Sequence, residues 1–181
     1  MYKKGFKNTK VIALLSVLLA LHVVLTATFV QVTPELRVYF TFFIKALAAI
    51  VAGSFVGIGF GMMADLIGVM IFPSGAYFFG YTLTAMVSMF IYGCFFYQKK
   101  ISILRIFIAK LSVNVIANII LNSFWSYLLY SKGYVYYLIQ SVIKNILLLP
   151  IEVILLIIFL KLMLPTLNRL KYTQQDHIPW I

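Results

Sequence analysis

The chain has 181 residues, of which 64% are apolar and 10% charged, with a mean hydropathy of +1.04. Soluble domains carry about 25% charged residues, so this composition excludes a soluble enzyme or binding module and describes an all-α, polytopic integral membrane protein. The net charge of +11 does not point to nucleic acid: the cations gather at Lys3–Lys10, Gln98–Arg105 and Lys161–Lys171. With six spans and both termini in the cytoplasm, all three groups fall on the inner side, where anionic lipid is the expected partner.

The spans are expected at 11–30, 39–52, 54–72, 77–97, 102–130 and 135–165, forming a single domain over 1–181 with a polar cytoplasmic tail at 166–181. The first run follows Lys3, Lys4, Lys7 and Lys10 but lacks a small-residue cleavage site, which reads as a retained helix. On it, Ser16 and Ala20 form a small-xxx-small pair that suits either internal packing or the docking of a partner subunit.

The second and third spans meet at Gly53 without a charged loop, so they also read as one broken hairpin. From Gly53 to Gly80 the sequence holds seven glycines, Pro73 and one acid, Asp65. Gly53, Gly57 and Gly61 make a double GxxxG that favours close helix approach. An acid at membrane depth faces a cavity or a partner rather than lipid. Pro150 is expected to interrupt and kink the sixth span. No internal repeat is visible, and the single Cys94 excludes an intrachain disulfide.

On the fifth span, Lys110, Asn114, Asn118, Asn122 and Ser126 recur every four residues and share one helix face. Such a ladder serves either interhelical hydrogen bonding or a site, and buried amides need partners in both cases. At its outer end, Asn122 and Trp125 together suit a flat heterocycle, through edge hydrogen bonds and stacking. Lys110 and Glu152 are expected to pair in the membrane, while Lys45, Asp65 and Lys144 lie in the outer half. With Arg37 at the mouth, that half has a cationic surplus fit for an anionic ligand. There is no Walker A element and no metal-ligand spacing, since His22 and His177 lie far apart. Neither a cofactor nor a catalytic function is expected.

The run ADLIGVMIFPSGAYFFGYTLTA with IYG at Ile91–Gly93 resembles the substrate-binding S components of energy-coupling factor (ECF) vitamin transporters. It is most similar to the folate-specific subfamily, with its D-L-I-G-x-x-x-F-P-x-G-x-F-x-x-G-F-T-L-T pattern. LNSFWSYLLYSKG, IKNILLLPIEV and LRVYFTFF resemble three further segments, so the likeness covers about residues 11–155 in order. The chain departs from it in lacking prolines near Ile44, Ser54 and Phe79, and in having Ser141 where an arginine is usual.

The resemblance implies a six-helix subunit of a bacterial cytoplasmic membrane that binds a vitamin near the outer face, under the loop after the first helix. It implies a transmembrane coupling subunit, docking at Ser16 and Ala20, and two cytoplasmic ATPases that power import. For a folate, Trp125, Phe78 and Tyr77 are the stacking candidates, Asn122 and Asp65 the readers of the pterin edge, and Arg37 and Lys144 the carboxylate contacts. The alternatives are an S component for another vitamin, a free-standing ion-coupled carrier using Asp65 or Glu152, and a structural membrane protein without ligand.

Overall fold

The computed structural model describes residues 9–33, 36–73, 77–130, 133–172, 175 and 177–180. Among the described residues, five helices are long and apolar enough to cross a bilayer: α1 (Thr9–Ala27), α2 (Phe42–Ile71), α3 (Phe79–Phe96), α4 (Ile103–Leu129) and α5 (Tyr134–Arg169). Between α1 and α2 the all-α expectation gains an antiparallel hairpin, β1 (Phe29–Thr33) with β2 (Leu36–Tyr39), in which Gln31 pairs with Arg37. The alternating, β-branched FVQVT segment favours that conformation.

The spans expected at 39–52 and 54–72 are one element, α2, broken at Gly53, where φ is +76° and ψ is −177°. The break is a sharp fold-back. Lys45 lies within electrostatic reach of Asp65, whereas twenty residues of straight helix would separate them by about 30 Å. The first half of α2, about 16 Å long at 1.5 Å per residue, is a half-helix at the centre of the bundle. Its alanines suit that place: Ala46, Ala48 and Ala49 are each 0% exposed. Apart from Lys45, this stretch is apolar on every side, as befits a core helix.

The second half of α2 runs antiparallel to α3 at backbone contact. A Cβ built on Gly93 would lie 2.4 Å from the Ser54 Cα, and one on Gly61 would lie 2.8 Å from the Ala85 carbonyl oxygen. The double GxxxG is therefore an internal packing seam, which brings Asp65 level with the first turns of α3.

Between Asn114 and Leu121, α4 is π-helical. In an α-helix, every fourth residue drifts by about 40° around the axis. The wider π turn draws the asparagine ladder closer to a straight row. α5 stays helical through Pro150 and Pro165 and ends at Arg169. The interruption expected at Pro150 does not occur: one missing donor costs less than exposing further backbone in an apolar medium.

One end of the bundle collects the start of α1, the Gly53 fold-back, the end of α3, the start of α4 and the end of α5. There the C-terminal segment caps α4: the Ile103 and Leu104 amides donate to the Pro179 and Trp180 carbonyls at 2.9 and 3.1 Å. The opposite end, where a Cβ on Gly68 of α2 would lie 3.7 Å from the Thr26 side chain of α1, carries the hairpin and the candidate site.

Candidate ligand-binding site

Close approach of α2 and α3 sets the first half of the site. The half-buried Asp65 carboxylate accepts a hydrogen bond from the Thr82 hydroxyl, with Oγ1 2.7 Å from Oδ2. The Tyr77 hydroxyl lies 3.0 Å from the same Thr82 oxygen. Thr82 itself is fully buried. Asp65 and Tyr77, both expected in the site, are thus joined through a residue that sequence reasoning did not single out.

Trp125 on α4 provides the second half. Its indole N–H donates to Thr84 Oγ1 at 3.1 Å, while the Thr84 hydroxyl donates to the Gly80 carbonyl at 3.1 Å. The indole N–H is therefore spent on the protein, and what Trp125 offers a ligand is its apolar ring. Phe78 stands edge-on to that ring at 5.7 Å between centroids. Only glycine fits beside them: a Cβ on Gly80 would come within 2.3 Å of Phe78 Cε1 and 2.5 Å of Trp125 Cδ2.

Asn122 sits one turn before Trp125 on the same face. Its Oδ1 is buried without a hydrogen-bond partner among the described residues. A buried, unpaired amide oxygen is costly, which makes this an acceptor waiting for a donor. The other asparagines of the ladder are occupied. Asn118 Nδ2 donates to Asn114 Oδ1 at 3.0 Å, and Asn114 Nδ2 donates to Glu152 Oε2 at 3.2 Å. Glu152 also holds Lys110 at 3.1 Å, and the Lys110 ammonium lies 4.3 Å from the Phe42 ring centroid, a cation–π contact. The ladder therefore divides in two, a closed network below and an open amide above.

The remaining expected residues are more dispersed. Lys144 is half-buried on α5, within electrostatic reach of Glu152 and Lys110. Arg37 contributes backbone to β2, and its side chain lies outside the described part. Ser16 and Ala20 are exposed on α1, with Ser16 Oγ bonded back to the Ile12 carbonyl at 3.0 Å. Ser141 is tied into the α4–α5 contact, its hydroxyl 3.0 Å from that of the fully buried Ser123.

Three contributors were not singled out from sequence: Thr82, Thr84 and the close approach at Gly80. The threonines stand in the YTLT run, but helix threonines usually bond their own backbone. Their cross-helix partners, seventeen residues away for Thr82 (Asp65) and forty-one for Thr84 (Trp125), become visible only when α2, α3 and α4 are packed.

No protein-family model matches the chain. It is 33% identical over 148 residues to a folate transporter FolT of Clostridium novyi, an alignment covering 82% of this chain and 86% of that protein. It is 36% identical over 152 residues to a folate transporter FolT of Leuconostoc mesenteroides, covering 81% and 82% respectively. Among solved structures, a crystal structure of FolT bound with folic acid superposes with a TM-score of 0.76 at 32% identity, over 95% of this chain and 99% of that one. Sequence likeness along most of both chains and agreement of the fold lead to one conclusion: the chain belongs to the folate transporter FolT family.

Proposed function

We propose that this chain is the folate-binding S component of an ECF-type, ATP-driven importer in a bacterial cytoplasmic membrane. What supports the reading is that the same end of the bundle holds a carboxylate fixed by Thr82 (Asp65), a flat ring whose N–H is already satisfied by Thr84 (Trp125) and an open amide oxygen (Asn122). A pterin presents a flat face and a polar edge, which match the ring and the two polar groups. Trp125, Phe78 and Tyr77 stack on the heterocycle; Asp65 and Asn122 read its edge; Arg37 and Lys144 meet the glutamate carboxylates through charge-assisted bonds. Support from outside the site comes from the relatives named as folate transporters and from the folic-acid-bound FolT structure.

In this reading the two halves of α2 count as separate spans. The result is a single six-helix domain without an inverted repeat, with both termini and the tail from 166 in the cytoplasm. The protein has no ATPase site of its own and is not an enzyme; energy comes from two ATPases through a coupling subunit that docks on the exposed Ser16–Ala20 stripe. Glu152, one of the acids an ion-coupled carrier would use, is already held by Lys110 and Asn114.

The test is tryptophan fluorescence of detergent-purified protein titrated with folic acid, 5-formyltetrahydrofolate, thiamin and riboflavin. Saturable quenching by the folates alone, lost in Trp125→Phe, is the expected result. Folded protein that responds to none of them removes the assignment. For the partners, uptake by reconstituted vesicles is expected to require the coupling subunit and ATP hydrolysis; uptake that instead follows an ion gradient overturns the ECF part.

A further inference from the structure

The proton inventory around Thr82 carries the reading of the site one step further. A threonine hydroxyl has one proton and two lone pairs, and an ionised carboxylate has lone pairs only. At 2.7 Å from Asp65 Oδ2, the Thr82 proton is committed to that carboxylate. The Tyr77 hydroxyl, 3.0 Å from the same Thr82 oxygen, then meets only lone pairs and has to donate. The bonds therefore run one way, from Tyr77 to Thr82 to Asp65. Both protons of the chain are spent inside it, and what remains facing outward is acceptor capacity on the Asp65 carboxylate and the Tyr77 oxygen.

We infer that Thr82 is a positioning residue that locks this end of the site into an acceptor-only state, so that it selects a ligand edge with paired N–H donors. This rests on the folate reading above and sharpens it. The edge in question is the N3–H and 2-amino pair of a 2-amino-4-oxo pteridine, which a carboxylate accepts side by side. Full burial of Thr82 on α3 and its tie to Tyr77 fix the rotation of the Asp65 carboxylate, which holds the reading geometry before ligand arrives. A site built to hydrogen-bond a donor discriminates strongly against an analogue without it.

Folic acid and an analogue carrying methyl in place of the 2-amino group are titrated against wild type, Thr82→Val, Thr82→Ser and Tyr77→Phe. Wild type is expected to prefer folic acid by at least about a hundredfold. Thr82→Val keeps the side-chain shape and removes both bonds. It should weaken folic acid by about tenfold or more, leave the analogue nearly unchanged and narrow the preference accordingly. Thr82→Ser should restore it. On an Asp65→Asn background, Thr82→Val should have little further effect, because the residue acts through the carboxylate.

A purely structural role would lower affinity for both ligands alike and leave their ratio unmoved, which overturns the inference. If Thr82→Val does not fold, Tyr77→Phe decides: an unchanged ratio there overturns it, and a narrowed one supports it. Wild type that binds no folate overturns both this inference and the functional reading, whereas folate binding with an unmoved ratio overturns this one alone.

Discussion

The Lys110 ammonium and the Glu152 carboxylate are nearly shielded from solvent, with side chains 3% and 12% exposed. Removing one partner strands the other charge at membrane depth. Glu152→Gln is expected to cost about 3–5 kcal/mol, read as a loss of thermal stability in detergent. A Lys110→Met and Glu152→Met double variant should recover most of it, because a buried pair contributes little over an apolar replacement. A double variant as unstable as the single one would show instead that the pair itself is required. The pairing was legible in sequence, since both charges fall in apolar runs with few other partners at that depth. The extension through Asn114 to Asn118 was legible only as a periodicity, because an amide gives no sign of which neighbour it will meet.

At the scale of elements, the glycines are not equivalent. A methyl group on Gly93 meets the Ser54 backbone at 2.4 Å, and the fold-back there has no room to retreat. Gly59 lies on the same stretch of α2 as the seam, yet a Cβ there has nothing within 4 Å. Gly93→Ala is therefore expected to lose folded, extractable protein, whereas Gly59→Ala should be neutral or stabilise by up to about 1 kcal/mol through helix propensity. Size-exclusion profiles and thermal unfolding of the two variants check the contrast; equal behaviour would rule out backbone contact as the reason for glycine. Sequence displayed the seam as a GxxxG and the fold-back as a missing loop at Gly53. It did not display the hairpin after α1, whose ladder depends on pairing, nor the π-helical stretch of α4. A spacing of four residues fits either helix type, and only the backbone hydrogen-bond pattern distinguishes them.

For the whole molecule, the two ends are built for separate tasks. At the end away from the site, Gln175 braces the α3–α4 connection: its Oε1 accepts from the Ile101 amide at 2.7 Å, and its Nε2 donates to the Ile101 carbonyl at 3.3 Å. Asn168 holds Gln175 in turn, donating to its carbonyl at 2.6 Å. Deletion of residues 175–181 uncovers the Ile101, Ile103 and Leu104 amides together. The expected result is lower thermal stability with folate affinity unchanged within about twofold, since the lost bonds lie at the opposite end of helices that are each roughly 27–54 Å long by their residue counts. A large loss of affinity would show that the ends are coupled through the bundle.

The fold-back at Gly53 also changes how the path of this chain must be counted. A reversal of direction normally leaves a loop in water, where a protease, a thiol reagent or an inserted tag can find it. Here the reversal is made by one residue pressed against Gly93 and the Tyr97 ring, so it offers no such handle. Under the six-span reading proposed above, a map drawn from water-accessible loops would record five crossings and place the two ends of the chain on opposite sides of the membrane. Fusing reporters to the two termini and reading their sidedness directly tests that reading: reporters on the same side support six spans, and reporters on opposite sides overturn them.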